Sequence, residues 1–580
     1  MGELRRRLSG KRFLAVLAVC AALIPSARLA WEWRHMPHLG IYHDDSLYFV
    51  TAKSWAEGKG HRIESFPGEP AQTKYPPGLP LLLSLVWRIN PRFPDNLPLL
   101  MLLVWIALPL FVAAAALYFR DLGFGLWKTA LLCAWLALTP VVVGFSAMAM
   151  TELWFGALLA VAVVLAERSA APGARWWWAA GAGLAVAAAA LTRSAGLFLL
   201  ASVPLGLLWR RRFKSAAVFL AVAAPPLAAW NLWKLMHPPP SDDLVTLYYT
   251  SYSAYQLATV GLVNPALTVP YNLNTLLTGL GKLFVFFDEN SLGVVTVGRV
   301  LAVGAIVGAA RLVRRTGKAQ LALFALAYGA VMMIWHFPPD VRFITPLAPL
   351  LFAGFAEEGG RLVRQLRAAW EGQAVANRAA AAAIAAALLA GGAWWARQTW
   401  YGVGTFLPAA FEERQWALQG NLPAYEWVRQ NTAPAARFFA YDDAVFYLYT
   451  GRHACSLAIP PDLVYRKDEE GVIRFVGTMP RYAGPFGIEY VLFTATDFRL
   501  SPTGAARKGA RLLEKDGERL QLVFAAERSR VYRLRAAAEE VRERVEPAPL
   551  VQKGEDRSIS SVAAQAQSAA AGARNGSGRS

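Results

Sequence analysis

Residues 97–118 have the sequence LPLLMLLVWIALPLFVAAAALY, an apolar run without a charged side chain. A helix of about 20 residues crosses the ~30 Å hydrocarbon core of a bilayer, so this run is long enough to span a membrane. Of the 580 residues, 56% are hydrophobic, and the mean hydropathy is +0.32. A soluble protein of this length does not need so many apolar residues. The sequence therefore predicts an integral membrane protein.

Similar apolar runs recur along the first two thirds of the chain and predict about eleven membrane-spanning helices. They lie at 13–30, 97–118, 128–147, 151–167, 176–192, 195–209, 215–235, 292–310, 319–336, 343–358 and 379–396. If the basic N-terminus (1–12) is cytoplasmic, alternation places the basic loops 210–214, 311–318 and 361–378 inside, as the positive-inside rule requires. The predicted fold class is an α-helical polytopic protein of the cell (inner) membrane, with its transmembrane domain at 13–397.

The formal charge of +19 is compatible with nucleic-acid binding, but its distribution is not. The cations cluster in short loops between apolar runs, where they set membrane orientation. We therefore predict membrane lipid, and no nucleic acid, as a partner.

The same alternation leaves the loop 31–96, the turn 148–151, the loop 236–291 and everything after 397 outside the membrane. After residue 397 the composition becomes that of a soluble domain. The pattern predicts a helix at 421–430, strands at 437–441 and 490–494, and a hairpin of 520–525 with 530–534. We predict an extracytoplasmic α/β domain at 398–536, and a disordered tail at 537–580 that is rich in Ala, Ser, Gly and Gln.

Two adjacent carboxylates, Asp44 and Asp45, follow the first predicted span at the start of a predicted amphipathic helix. One interpretation is a helix N-cap, because an acid there accepts hydrogen bonds from free backbone N–H groups. A single acid is enough for that purpose, so the pair also indicates a catalytic or metal-binding role. The further acidic pairs at 242–243 and 442–443 are interpreted as turn or cap residues.

Four more charged residues lie at predicted outer ends of spans or in the first outer loop. Lys74 precedes a rigid Pro-Pro turn and is either a snorkelling lysine or a ligand for a lipid phosphate. Glu152, Arg193 and Arg342 are each explained singly as interfacial anchors. Their common position on one predicted side of the membrane is more informative than any one of them alone. The predicted topology brings these four and the acidic pair to one outer cavity, where acids meet phosphate-seeking bases.

Five short pieces follow one another along the chain. They are His43-Asp44-Asp45-Ser46-Leu47-Tyr48, Lys74-Tyr75-Pro76-Pro77-Gly78-Leu79-Pro80, Thr151-Glu152, Leu191-Thr192-Arg193 and Arg342-Phe343-Ile344-Thr345-Pro346. In this order they resemble the membrane-embedded glycosyltransferases of the C-type fold, and among these the group that is similar to glycosyltransferase family 39. The likeness is to bacterial relatives of the protein O-mannosyltransferases and of the aminoarabinose transferase that modifies lipid A. The resemblance covers roughly residues 10–400 and implies a polyprenyl-phosphate sugar donor, with Asp44 as the catalytic base. The chain has Asp45 where many relatives have Glu, and Tyr75 separates Lys74 from the Pro pair.

We therefore hypothesise an inverting glycosyltransferase that moves a hexose or pentose from a polyprenyl-phosphate donor to an acceptor hydroxyl on the outer face. The acceptor is a glycolipid, a polysaccharide or a protein, as in lipid A modification or protein glycosylation in the cell envelope. Lys74, Arg193 and Arg342 would bind the donor phosphate. Asp45 and Glu152 would complete the catalytic set, either by orienting the base or by holding a divalent cation against the phosphate.

The alternative is a transporter or flippase of lipid-linked sugars, which would also need basic residues near phosphate. A transporter more naturally has polar groups at the middle of its spans and helices broken at Gly or Pro. In this sequence the notable charges lie at the ends of spans, which favours the transferase.

Overall fold

The protein's structure, a computed structural model, describes residues 2–261, 265–287, 291–371, 375–498 and 504–535. The tail predicted at 537–580 lies outside these residues. The chain up to Leu534 forms one compact unit.

Five of the described helices are long and apolar enough to cross a membrane. They are Gly10–Glu32 (within Gly2–Glu32), Leu97–Asp121, Phe213–Met236, Leu292–Thr316 and Val375–Asn431, the last comprising Val375–Tyr401, a π turn at Gly402–Phe406 and Leu407–Asn431. Shorter apolar helices are Gly78–Ile89, Leu126–Leu138, Trp176–Thr192, Ser194–Trp209 and Gln320–Met333. The chain is a multi-pass membrane protein; the number of eleven spans stays a prediction.

The chain has further helices before residue 400. They are Asp44–Ala56, Pro140–Phe145, Glu152–Ser169, Leu244–Thr250, Tyr252–Thr259, Pro265–Phe284, Val341–Ile344 and Ala348–Glu371. Most boundaries lie within a few residues of the predicted ones. Three helices are exceptions, because polar residues extend their apolar parts. The helix predicted at 13–30 begins at Gly2, the one predicted at 292–310 ends at Thr316, and the one predicted to end at 358 continues to Glu371.

The single helix predicted at 128–147 is wrong. The structure has Leu126–Leu138, a break at Thr139, and then Pro140–Phe145. Thr139 is extended, with φ −61° and ψ 121°. A residue before proline avoids the helical region, and Pro140 has no N–H to continue the helix.

The helices Leu292–Thr316 and Ala348–Glu371 are in close backbone contact through two glycines. A Cβ on Gly308 would overlap the carbonyl oxygen of Gly354, and a Cβ on Gly354 would overlap the carbonyl oxygen of Ala305. Small residues allow this approach, which is the usual basis of helix association in membranes.

We expect Gly308→Leu to destabilise the helix pair by about 1–3 kcal/mol or more, because neither backbone can retreat without separating the helices. Gly304→Leu is the matched control: it lies on the same helix, and a Cβ there has no neighbour within 4 Å. Thermal unfolding in detergent measures both. Equal melting temperatures for the two variants would contradict this contact.

After the long helix that ends at Asn431 the chain forms a five-stranded mixed sheet. Its strands are β1 (Phe438–Ala440), β2 (Ala454–Cys455), β3 (Tyr490–Thr494), β4 (Leu520–Ala525) and β5 (Ser529–Leu534). The strand order is β2-β1-β3-β5-β4, with β1 parallel to its two neighbours and β3, β5 and β4 antiparallel in turn. The strands lie where the sequence pattern predicted them, and β2 was missed because it has two residues.

Short helices cover this sheet. They are Asp443–Thr450, Pro461–Arg466, Glu469–Val476, Ala483–Phe486 and Ala505–Glu514. The sheet and these helices, here called the C-terminal segment, pack on the loops 31–96 and 236–291. Ala454 N donates to the Ser65 carbonyl at 2.8 Å, and Ser456 N donates to the Tyr249 hydroxyl at 2.8 Å. The two long loops and the C-terminal segment therefore lie together.

Candidate active site

The helix Asp44–Ala56 begins with the acidic pair, directly after an unusual residue. His43 has φ 61° and ψ −46°, and its side chain does not cap the helix. Neither carboxylate of the pair serves as a side-chain N-cap, so that interpretation is wrong for both. Their charges still suit the helix dipole, because both lie in its first turn.

Asp44 is buried and is held by two donors. The Tyr75 hydroxyl donates to Oδ1 at 2.5 Å, and Arg342 Nη2 donates to Oδ2 at 2.9 Å. Burial by itself would raise the pKa of this carboxyl, but Arg342, Lys74 and the Tyr75 hydrogen bond outweigh burial and keep the pKa below its ordinary value. Asp44 is therefore an ionised carboxylate at neutral pH.

Lys74 is buried beside Asp44 in an aromatic cage. Its Nζ donates to the Tyr248 carbonyl at 2.7 Å, and lies 4.1 Å from the Tyr248 ring centroid and 5.0 Å from those of Tyr75 and Tyr252. Burial lowers the pKa of the ammonium to about 8, with Asp44 opposing the shift and Arg342 adding to it. Such a poorly solvated cation is suited to an anionic ligand.

Glu152 lies behind the two arginines. It begins the helix Glu152–Ser169, and its Oε1 accepts from Arg193 Nη1 at 2.8 Å and lies 3.9 Å from Arg342 Nε. Arg193 follows the last residue of Trp176–Thr192 and also donates to the Thr151 hydroxyl at 2.8 Å. A fully buried glutamate between two arginines fixes the positions of both guanidinium groups.

One cavity of about 380 Å³ joins most of these groups. Its wall includes Asp44, Lys74, Arg193 and Arg342. Glu152 is not part of the wall and contacts the two arginines. Tyrosines form much of the remaining wall: Tyr42, Tyr48, Tyr75, Tyr248, Tyr252 and Tyr328. The cavity can bind an anion on its cations and a sugar ring against its aromatic faces.

The tyrosine wall was not predicted from sequence. The one available signal was Tyr75, at the position where this chain differs from the family pattern. Its hydroxyl bonds to Asp44, so the difference brings a donor into the site.

The structure does not bring Asp45 into this cluster. Its Oδ2 accepts from Gly40 N at 3.0 Å, and the residue does not line the cavity. Burial raises the pKa of this carboxyl to about 6, against the opposing effect of hydrogen bonds from the Gly40 and Ser46 backbone. Adjacent residues on a helix point about 100° apart, so a pair in sequence need not share a site.

The residues present do not fit a divalent cation held jointly by Asp45 and Glu152. Glu152 is paired with arginines, and Asp45 bonds to the backbone of the preceding turn. Asp45 Oδ1 and Glu152 Oε2 are buried without a hydrogen-bond partner, but they belong to separate sets of contacts. Among the described residues no group of three His, Cys, Asp or Glu side chains is placed to hold a metal ion. Three nearby cations already supply positive charge to the cavity.

A second cavity, of about 500 Å³, shares Tyr42 with the first. Its wall is mainly apolar and includes Phe145, Phe286, Phe406 and Phe411. It is suited to an apolar portion of a ligand.

No family model and no curated protein sequence matches the chain. Solved structures do. The oligosaccharyltransferase of Archaeoglobus fulgidus in complex with Zn and sulfate is 14% identical, with a TM-score of 0.52, over 89% of this chain and 72% of that one. The same protein (AglB) with an inhibitory peptide and a dolichol-phosphate is 15% identical, with a TM-score of 0.50, over 84% and 70%. ArnT from Cupriavidus metallidurans bound to undecaprenyl phosphate is 13% identical, with a TM-score of 0.49, over 90% and 98%.

Proposed function

Because the chain has the C-type fold of membrane-embedded glycosyltransferases, we propose that it is an inverting glycosyltransferase with a polyprenyl-phosphate sugar donor. One observation carries the proposal: a buried carboxylate, Asp44, lines the same cavity as Lys74, Arg193 and Arg342. The reaction would take place on the outer face of the cell membrane and transfer the sugar to an acceptor hydroxyl.

The donor follows from the cations and from sidedness. Nucleotide sugars are cytoplasmic, so an outward-facing enzyme needs a sugar that crosses the membrane on a lipid. Two guanidinium groups and one ammonium are suited to the phosphate of such a lipid. The dolichol-phosphate in the archaeal neighbour supports a lipid phosphate as a ligand of this fold.

The chemistry needs one base. Asp44 would take the proton from the acceptor hydroxyl while the hydroxyl oxygen attacks the anomeric carbon. The bond between that carbon and the phosphate oxygen breaks, and polyprenyl phosphate leaves with its charge stabilised by Lys74, Arg193 and Arg342. A single displacement inverts the anomeric carbon. No general acid is needed, because phosphate is a good leaving group.

The geometry also suggests how donor binding activates the base. Without a donor, Arg342 pairs with Asp44 at 2.9 Å, which weakens the carboxylate as a base. A phosphate in the cavity competes for the same guanidinium. Asp44 then regains basicity when the donor is present.

The acceptor stays open among glycolipid, polysaccharide and protein. The second, apolar cavity is where we place an apolar portion of a substrate, either the donor's polyprenyl chain or a glycolipid acceptor. The proposal includes no divalent cation held by Asp45 and Glu152, because Glu152 is paired with arginines and Asp45 does not line the cavity.

The test is to incubate purified protein with a polyprenyl-phosphate-linked labelled sugar and envelope glycolipids or protein. A transferase consumes the donor, releases polyprenyl phosphate and forms a glycosidic bond of inverted configuration. A flippase moves the labelled lipid across a vesicle membrane and leaves it intact. Transport without bond formation would overturn the proposal.

The pKa of Lys74 predicts a pH dependence. Because that pKa is about 8, the ammonium loses its proton as pH rises through 8, and the phosphate loses one of its cations. We expect kcat/KM for the donor to fall by up to about tenfold per pH unit above pH 8. The quantity to measure is kcat/KM between pH 6 and 10.

Lys74→Arg is the control, because arginine stays charged over this range. Its profile should lack the alkaline fall, whatever its absolute rate. An identical fall in both proteins would exclude Lys74 as the titrating group.

A further inference from the structure

Asp443, in the C-terminal segment, is an acid with no role in the transfer chemistry described above. The pair 442–443 is interpreted from the sequence as turn or cap residues, but neither side chain caps a helix. That interpretation was right elsewhere, since Asp243 accepts from Thr246 N at 2.8 Å. Asp443 is instead fully buried, and its Oδ1 lies 2.6 Å from His43 Nε2. Its partner is 400 residues away in sequence and adjacent to Asp44.

His43 is held in a conformation that it would not adopt on its own. Its φ of 61° lies in the left-handed region, where a residue with a Cβ is disfavoured by roughly 1–2 kcal/mol. Such a conformation persists only where surrounding contacts determine it, and it is typical of functional sites. Because His43 directly precedes the helix Asp44–Ala56, its backbone sets the direction in which Asp44 leaves the turn.

The His43 ring also contacts the residue that supports Lys74. His43 Nδ1 lies 3.1 Å from the Tyr248 hydroxyl, and the two rings stack with centroids 5.7 Å apart. The carbonyl and the ring of Tyr248 are the partners of Lys74. One histidine thus connects the base on one side with the phosphate ligand on the other.

We propose that Asp443 is a positioning residue of the transfer site, which it controls by holding His43 and, through it, Asp44 and Tyr248. This inference rests on the proposed function. It makes the C-terminal segment part of the active site, because the contact that fixes the catalytic turn comes from that segment. A carboxylate buried against one imidazole is costly unless the pair stays together, so the contact holds the segment on the loop.

The test compares Asp443→Ala with Asp443→Asn, which keeps an oxygen to accept from His43. Asp442→Asn is the matched control: the carboxylate of this neighbour lies 3.8 Å from Arg414, whereas the hydrogen bond to His43 comes from Asp443. We expect Asp443→Ala to lower kcat by about 10- to 100-fold, as small misplacements of catalytic groups do. Asp443→Asn should restore most of the rate, and Asp442→Asn should stay near wild type.

A double-variant cycle separates positioning from general destabilisation. If Asp443 acts through His43, the pair His43→Gln with Asp443→Ala should be no slower than the slower single variant. If the two substitutions damaged the structure independently, the rate losses of the two single variants would multiply in the double variant. Melting temperatures of all variants show that the comparison concerns folded protein.

A binding measurement decides the inference without turnover. We expect Asp443→Ala to weaken binding of a short-chain polyprenyl phosphate by about tenfold, because Tyr248 no longer holds Lys74 in place. Wild-type values of both kcat and this affinity in folded Asp443→Ala would overturn the inference. The proposed glycosyltransferase function survives that result if wild-type protein transfers sugar and Asp44→Asn does not. If wild-type protein binds polyprenyl phosphate but never transfers sugar, the proposed function fails, and the affinity of Asp443→Ala still tests the role of Asp443.

Discussion

Replacing Asp44 by Asn should reduce sugar transfer by about 10²–10⁴-fold, the range that a general base contributes. Asparagine has the same shape and keeps an oxygen for the Tyr75 hydroxyl, so the turn and the cavity should persist. What it lacks is the charge that accepts the proton of the attacking hydroxyl. The measurement is kcat with a polyprenyl-phosphate donor at saturation, together with donor affinity, which should change by no more than a few-fold.

Asp45→Asn is the control for this experiment. It alters the next residue of the same helix, whose carboxylate accepts from Gly40 N and stays outside the cavity. The expected rate is near that of wild type. Wild-type transfer by folded Asp44→Asn, or an equal loss in both variants, would show that Asp44 is not the base.

Much of the site could be predicted from the sequence because membrane topology restricts where charges meet. Lys74, Arg193 and Arg342 are far apart in the chain, but each follows or precedes an apolar run. Alternation of spans with the positive-inside rule then places them on one side, and the structure brings them to one cavity. A charge exposed to hydrocarbon is costly in free energy, so charged side chains at the edge of the hydrocarbon must face protein or water.

The features that could not be predicted depend on the direction in which a side chain points and on contacts between residues that are distant in sequence. Whether Asp44 or Asp45 faces the cavity depends on the exact residue at which the helix begins, and His43 sets that through a strained turn. The partner of His43 is Asp443, and no local pattern links two residues that far apart. The tyrosine wall has no periodicity of its own, because its members come from separate loops and helices.

The break at Pro140 shows a similar limit. Pro109 and Pro204 lie within helices that continue through them, whereas the chain breaks before Pro140. A proline in an apolar run predicts a kink or a break, and neighbouring helices decide which, because they can satisfy the backbone groups that proline frees.

Arg342→Met should give the second largest loss, about 10²–10³-fold in kcat/KM for the donor. Arg342 lines the cavity, donates to Asp44 and lies 3.9 Å from Glu152. The variant therefore removes a single cation that serves both the departing phosphate and the base. Loss of one preorganised donor to developing negative charge typically costs that much. Arg342→Lys keeps the charge without the planar fork and should be intermediate.

The pH profile distinguishes this prediction from simple damage. Burial would raise the pKa of Asp44. Arg342 makes the largest of the opposing contributions that outweigh burial and keep this pKa below its ordinary value. A base works only when deprotonated, so kcat/KM for the donor, which reports the free enzyme, falls as pH falls through that pKa. In wild-type protein, where Arg342 pairs with Asp44 before the donor binds, this acid limb lies below the ordinary range of a carboxylic acid. In Arg342→Met burial is less opposed, so the pKa rises and the acid limb moves to higher pH. Arg342→Lys should return the limb toward the wild-type position. An acid limb at the same pH in Arg342→Met and wild type would mean that Arg342 does not control the charge of Asp44, and the donor-triggered activation of the base would fail with it.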